Sequence, residues 1–287
     1  MSSYPKNLIK ALRAEPDLKI ADRATKNPEW WPKGAPKNKK AAQVRMEDLA
    51  VQLSELQERL FAASVQGQPA PSVLLILQGM DTSGKGGIVR HVLGMLDPQG
   101  VQHHAFKAPT KAEAARDFLW RINKQLPKKG IVGVFDRSQY EDVLIARVKE
   151  LAEPEELDSR YSKIVDFEEQ LIAKNIHPIK VMLHIGRDEQ YERLSERLER
   201  PDKHWKYSPG DIDDRLLWED YQQAYEIAIN RTNTKSAPWN VVPADQKWGA
   251  RLCVAELLLD TLQKVTPDWP EATFDIEKEK GRLEATR

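Results

Sequence analysis

Short apolar runs alternate with longer stretches of helical periodicity along this chain. Residues 73–77, Val-Leu-Leu-Ile-Leu, have the length and branching expected of a strand buried on both faces. Residues 101–107, 131–135, 179–185 and 240–242 predict four more strands. Ahead of the first strand, Met46, Leu49, Leu53, Leu56 and Leu60 alternate three and four apart and predict a helix over 41–63. Behind it, Ile88, Val89, Val92, Leu93 and Leu96 mark another. Thr110-Lys111-Ala112-Glu113 has the form of a capping box, opening a helix with Ala115, Phe118, Ile122 and Leu126 on one side. Further helices are predicted at 139–150, 158–174, 188–199, 211–231 and 247–264.

This alternation argues for an α/β fold, a parallel sheet of about five strands with helices on both faces. One domain is expected over 41–265, with the charged segment 187–210 as a candidate lid. Residues 1–40 are rich in Lys, Pro and Asn around Trp30-Trp31-Pro32-Lys33-Gly34. They read as an extended arm that packs its tryptophans on the body or on another subunit. Residues 266–287 read as a polar tail.

Composition narrows the function classes. Forty-four basic side chains balance forty-four acidic ones, so no global field favours nucleic acid or an anionic membrane. Any polyanion site must be a local concentration of Lys and Arg. Cys253 is the single cysteine, which excludes an intramolecular disulfide and fits a reducing compartment. The first residues lack the apolar core of a signal peptide and no stretch approaches a membrane span, so a cytoplasmic, soluble protein is expected.

The candidate chemistry begins where the first strand ends. Gly79, Gly84 and Lys85 fit the spacing G-x-x-x-x-G-K between a predicted strand and a predicted helix. Small residues let backbone N–H groups close around phosphate oxygens, the helix N-terminus adds positive potential, and Lys85 adds a point charge. Gly86 stands where most such loops carry a magnesium-binding hydroxyl, which makes Asp81 the nearest substitute ligand. Asp136 ends an apolar strand, where ligands of parallel sheets gather. Alone it reads as a helix cap; beside such a loop it reads as a magnesium-holding carboxylate. Arg137 could grip a phosphate or hold a structural ion pair, and Lys107 ends the second strand facing the same crevice. Arg193, Arg197, Arg200, Lys203, His204 and Lys206 form the densest positive stretch, but Glu192, Glu196 and Glu199 interleave. A solvated helix face and a phosphate-neutralising lid read about equally well there. The histidines show no metal-ligand spacing.

Several blocks together resemble the polyphosphate kinase 2 family: Leu-Gln-Gly-Met-Asp-Thr-Ser-Gly-Lys-Gly-Gly at 77–87, Phe-Lys-Ala-Pro-Thr at 106–110, Asp-Phe-Leu-Trp-Arg at 117–121, Phe-Asp-Arg-Ser-Gln-Tyr-Glu-Asp-Val-Leu at 135–144, Lys-His-Trp-Lys-Tyr-Ser at 203–208 and Ala-Pro-Trp-Asn-Val-Val-Pro-Ala at 237–244. They recur in order over roughly residues 20–265. The resemblance implies a P-loop kinase-like three-layer fold with a helical lid. It implies phosphoryl transfer between inorganic polyphosphate and adenine or guanine nucleotides with Mg²⁺ (or Mn²⁺).

By that likeness Lys85, Gly79, Met80, Thr82, Ser83, Gly84 and Gly86 hold polyphosphate, helped by Lys107, Arg193, Lys203 and Lys206. Asp81 and Asp136 hold the metal, Arg137 and Arg197 act on the transferred group, and Arg121, Tyr140 and Glu141 meet the nucleotide. The run Tyr-Glu-Asp-Val-Leu at 140–144 resembles the branch that accepts AMP as well as ADP. Arg116 and Arg200 depart from the pattern, which often has His at the first place and an acidic residue at the second, and this leaves substrate preference open. Polyphosphate is expected in a basic channel near Lys107, Lys111, Arg121 and Lys124, and the nucleotide is expected to be held through its phosphates without a base pocket. A conventional ATP-dependent nucleotide kinase and a non-catalytic nucleotide-binding protein both stay open on the residues alone. The arm favours a homo-oligomer, dimer or tetramer, with no nucleic-acid or membrane partner.

Overall fold

The computed structural model describes residues 4–26 and 31–287. Its strands are β1 Ser72–Gln78, β2 Val101–Ala105, β3 Val132–Asp136, β4 Ile176–His184 and β5 Trp239–Pro243. Among the described residues they form one parallel sheet in the order β2-β3-β1-β4-β5. β1 is buried throughout and apolar from Val73 to Leu77 because it has no edge and no wet face: Leu75 lies opposite Val134 of β3 on one side and Ile179 of β4 on the other. β2 pairs on one side only, and its Gln102-His103-His104 sequence suits a half-exposed edge.

The helices are α1 Tyr4–Leu12, α2 Lys39–Val65, α3 Lys85–His91, α4 Lys111–Ala114, α5 Leu119–Asn123, α6 Glu141–Val148, α7 Pro154–Ala173, α8 Arg187–Glu199, α9 Gly210–Leu216, α10 Trp218–Thr232, α11 Lys247–Val265 and α12 Ile276–Glu284. α11 lies on β1, β4 and β5 and carries α1, α2 and α3 against it. It is apolar around most of its circumference, as a helix between a sheet and another helix must be. On the other face α7 covers β4, with α6 and α10 packed on it. With every strand parallel, the loops after β1, β3, β4 and β5 open on one edge of the sheet, and the chemistry gathers there. No helix among the described residues is long and apolar enough to cross a membrane.

Four expectations are corrected. The N-terminal segment is not simply extended: Tyr4, Leu8 and Leu12, four apart, bury one face of α1, and Tyr4 Oη donates to Glu256 Oε1 at 2.6 Å. Trp31 packs edge-on against Trp248 as expected, at 6.4 Å between ring centroids, while Trp30 lies outside the described residues. The capping box forms at Thr110 and Glu113, but its helix stops at Ala114. Asp117 then accepts from Leu119 N–H at 3.0 Å and starts α5 separately. The helix expected at 211–231 likewise breaks at Leu217 into α9 and α10. The polar tail carries α12, which has no buried residue.

Candidate active site

The loop from β1 to α3 takes a shape that its residues dictate. Gly79 has φ +148°, and a Cβ there would lie 2.7 Å from Leu183 O of β4, so only glycine fits. Its N–H donates to Tyr225 Oη of α10 at 3.1 Å. Thr82, at φ +61°, is held in the left-handed region, which costs about 1–3 kcal/mol and must be imposed by its surroundings. Lys85 folds back over the loop, its Nζ donating to Gly79 O at 2.6 Å and Met80 O at 3.3 Å. Gly86 lines the adjoining cavity, and the space where its Cβ would sit is open.

Asp81 projects from this loop towards Arg137, whose Nη2 donates to Asp81 Oδ1 at 2.9 Å. Arg137 also has a left-handed backbone, φ +66°. Its N–H donates to Leu77 O at 3.0 Å, so the turn stays tied to β1 while the side chain reaches the loop. Glu141 Oε2 lies 3.7 Å from Arg137 Nη1. Glu141 first, and Asp81 after it, hold the guanidinium well above its ordinary pKa. Burial pushes the Glu141 carboxyl up, against the pull of Arg137 and Lys85.

Asp81 and its ion-pair partner Arg137 each line a different cavity. The first, about 640 Å³, is lined by Asp81, the loop, Asp136 and the lid. Along its wall, among the described residues, Lys and Arg outnumber Asp and Glu eight to three. Arg90 of α3 with Lys247 and Arg251 of α11 supply a basic wall that the sequence reading missed. Arg90 and Arg251 make no ion pair among the described residues. Burial, then Arg90 and Arg193, pulls the Arg251 pKa down, as positive charges gathered together do. The available signal was their place: both α3 and α11 follow strands whose ends face the crevice.

The second cavity, about 580 Å³, holds Arg137 and Glu141 with Phe106, Phe118 and Ile145. Its Lys and Arg number six against five Asp and Glu among the described residues, so it is nearly neutral and partly apolar. Lys107 and Arg121 line this cavity and not the first, which removes them from a shared channel with the loop. Arg121 is a wall strut, donating to Lys107 O at 2.7 Å and pairing with Asp142 at 3.3 Å. The aromatic rings also supply the base-sized apolar surface that the sequence did not show.

Two expected contacts fail. Tyr140 is fully buried, turned away from both cavities, with its hydroxyl donating to Glu168 Oε1 at 2.7 Å. Arg193 is buried, and its guanidinium is taken up by protein: Nη1 donates to Thr82 O at 2.8 Å, and Nη2 to Ala244 O and Asp245 O, both at 2.8 Å. It lines the first cavity, but its donors are spent on the loop and the end of β5, so it shapes the loop and is no exposed lid charge. Arg193→Ala therefore lowers stability by about 3–5 kcal/mol, the range for removing one side of a buried charged network. At roughly 2–4 °C per kcal/mol in a chain of this size, a melt falls by on the order of 10 °C; an unchanged melting temperature contradicts the clamp. The outer lid fits the expectation better. Arg197 lines the first cavity, held by Asp211 at 2.9 Å, and Lys203 pairs with Glu196. Lys206 stacks near Trp205, a side chain that is 79% exposed.

The sequence model of the polyphosphate kinase 2 family matches residues 36–269. An AMP/ADP-polyphosphate phosphotransferase of Meiothermus ruber is 44% identical over 239 residues, covering 82% of this chain and 88% of that one. An ADP-polyphosphate phosphotransferase of Rhodopseudomonas palustris is 39% identical, covering 79% of this chain and 81% of that one. The crystal structure of polyphosphate kinase 2 from Arthrobacter aurescens TC1 superposes with a TM-score of 0.93 at 48% identity, covering 99% of both chains. The family model spans most of the chain and the fold superposes on that of a member, and the chain belongs to the polyphosphate kinase 2 family.

Proposed function

We infer that this chain transfers phosphoryl groups from inorganic polyphosphate to AMP and ADP, forming ADP and ATP, and runs the reaction in both directions. The observation that carries this reading is the contrast between two cavities, one lined by Asp81 and the other by its ion-pair partner Arg137. The first has a strong excess of fixed positive charge and suits a long, uniform polyanion. The second combines near-neutral charge with Phe106 and Phe118, which suits a base and ribose, with Arg137 at its inner end for the phosphates. The names of the Meiothermus and Rhodopseudomonas relatives support the same pair of substrates.

Magnesium fits the residues present. Asp81 and Asp136 are hard oxygen donors on the first cavity, and Thr82 Oγ1 and Ser83 Oγ are buried there without a hydrogen-bond partner among the described residues. No group of three His, Cys, Asp or Glu side chains among the described residues could hold a metal by itself. Mg²⁺ commonly takes one or two carboxylates and completes its shell with substrate phosphates and water. Bound there, it would neutralise charge on the phosphates as they meet.

The chain's own part is positioning and charge. Loop amides and Lys85 seat the polyphosphate end, while Arg90, Lys247 and Arg251 hold the units behind it. Arg137 brings the accepting phosphate against that end, and Arg197 and Lys206 close over it to exclude water. An accepting phosphate is already largely ionised at neutral pH, since its second pKa is about 6. It needs no general base, only alignment and relief from repulsion.

A time course starting from AMP, polyphosphate and Mg²⁺, with no other nucleotide, tests this. ADP appears first and ATP follows. If AMP is untouched while added ADP is converted, the diphosphate activity alone survives. If turnover needs ATP and ignores polyphosphate, the chain is a conventional nucleotide kinase.

A further inference from the structure

We propose that a buried network centred on Lys180 and Glu168 is a positioning device for the turn 136–141, fixing Arg137 and Glu141 for the nucleotide. Lys180 of β4, Glu168 of α7 and Tyr140 have almost no exposed surface. Lys180 Nζ donates to Glu168 Oε2 at 2.7 Å, Thr232 O at 2.8 Å and Tyr140 Oη at 3.2 Å, so all three of its protons are used. Glu168 Oε1 accepts from Tyr140 Oη at 2.7 Å and from Gln139 Nε2 at 3.3 Å. Thr232 Oγ1 lies 3.1 Å from Tyr140 Oη and accepts from Trp239 Nε1 at 2.9 Å.

Stability alone gives little reason for such a pair, because replacing a buried ion pair with apolar groups is often neutral or favourable. Its address suggests another reason. Gln139 and Tyr140 lie between Arg137 and Glu141, the two charged walls of the second cavity. Arg137 holds a left-handed backbone that its own side chain does not favour. Gln139 and Tyr140 are pulled inward by Glu168, while Ser138, also buried, lies 3.0 Å from the Gln78 amide of β1. Three consecutive residues are thus anchored in the core by hydrogen bonds, and the charged residues on either side are left facing the site. Four elements that do not themselves line the second cavity at these residues, α7, β4, α10 and β5, converge on that anchor.

The proposal rests on the inferred transfer from polyphosphate to AMP and ADP, and wild-type turnover of AMP and polyphosphate tests that reading separately. The variants are Tyr140→Phe, which keeps the ring against Trp239 and removes the hydroxyl, and the pair Glu168→Leu with Lys180→Met. Leu171→Ala, a core truncation on α7 outside the network, serves as the comparison. The expected result is a tenfold or larger rise in KM for AMP and ADP with a fall in kcat, and an unchanged KM for polyphosphate, in Tyr140→Phe and in the double variant. Leu171→Ala lowers the melting temperature with both KM values unchanged. The proposal is overturned if Tyr140→Phe behaves like Leu171→Ala, or if the KM values for both substrates rise together. Tyr140→Phe alone decides the matter if the double variant does not fold.

Discussion

Lys85→Ala abolishes measurable transfer, by on the order of a thousandfold or more, the scale reached when a charge offered to a transferring phosphoryl group is removed. That is about 4 kcal/mol of transition-state stabilisation at roughly 1.4 kcal/mol per tenfold. The ammonium also bonds Gly79 O and Met80 O and so holds the loop closed. A small loss in melting temperature accompanies the loss of turnover. Lys85→Arg keeps a charge but not its compact shape, and restores little, since a planar guanidinium cannot replace a point charge at a tight turn. Turnover and thermal melts measured on both variants check this; near-wild-type rates in Lys85→Ala remove the lysine from the chemistry.

Asp136→Asn and Asp81→Asn each lower kcat by about a thousandfold, because positioning and charge neutralisation supply most of the catalysis of phosphoryl transfer. Their side effects differ. Asp136 lines the first cavity. Its loss appears as a higher Mg²⁺ requirement with the melt unchanged. Asp81 also pairs with Arg137 at 2.9 Å, so its loss frees a guanidinium held only by Glu141 at 3.7 Å. That variant additionally raises KM for the nucleotide. Rate against Mg²⁺ and against nucleotide, measured for both, separates these effects. A carboxylate whose variant keeps wild-type rate and magnesium dependence is a cap, not a ligand.

Much of this could be read before any coordinates. The strands β1 and β3 were the plainest, because parallel strands buried on both faces have few polar positions to confuse the pattern. The loop at 79–86 and the Asp136-Arg137 pair were visible because their chemistry is tied to a fixed place, the C-terminal end of a strand. What stayed hidden depended on which way a side chain turns. Arg193 and Tyr140 sit in motifs that suggest ligand contact, yet one is consumed by backbone carbonyls and the other by Glu168. Apart from Glu189, four residues before Arg193, the partners are far off in sequence, so no local pattern could reveal them. The wall of Arg90, Lys247 and Arg251 is assembled from two helices far apart in the chain, and only packing brings it together. Helix α1 was hidden for the opposite reason: Tyr4, Leu8, Ile9 and Leu12 span little more than two turns, too short a pattern to outweigh composition. The break at Asp117 escaped because an aspartate that caps a new helix also fits the surface of a continuing one.

The bonds of Arg193 have a mechanical side. They pin the middle of α8 to two fixed points, the Thr82 carbonyl of the loop and the end of β5, and Gln190 Nε2 adds a third at Asp81 O, 3.2 Å away. The helix up to that residue travels with the sheet. Beyond it, about six residues of helix, roughly 9 Å at 1.5 Å per residue, carry Glu196 and Arg197 out to the turn that holds Lys203, Trp205 and Lys206. Those are held by one another and by Asp211. The outer arm of α8 is therefore joined to the sheet through Arg193, so a load on that arm bears on the carbonyls that shape the loop.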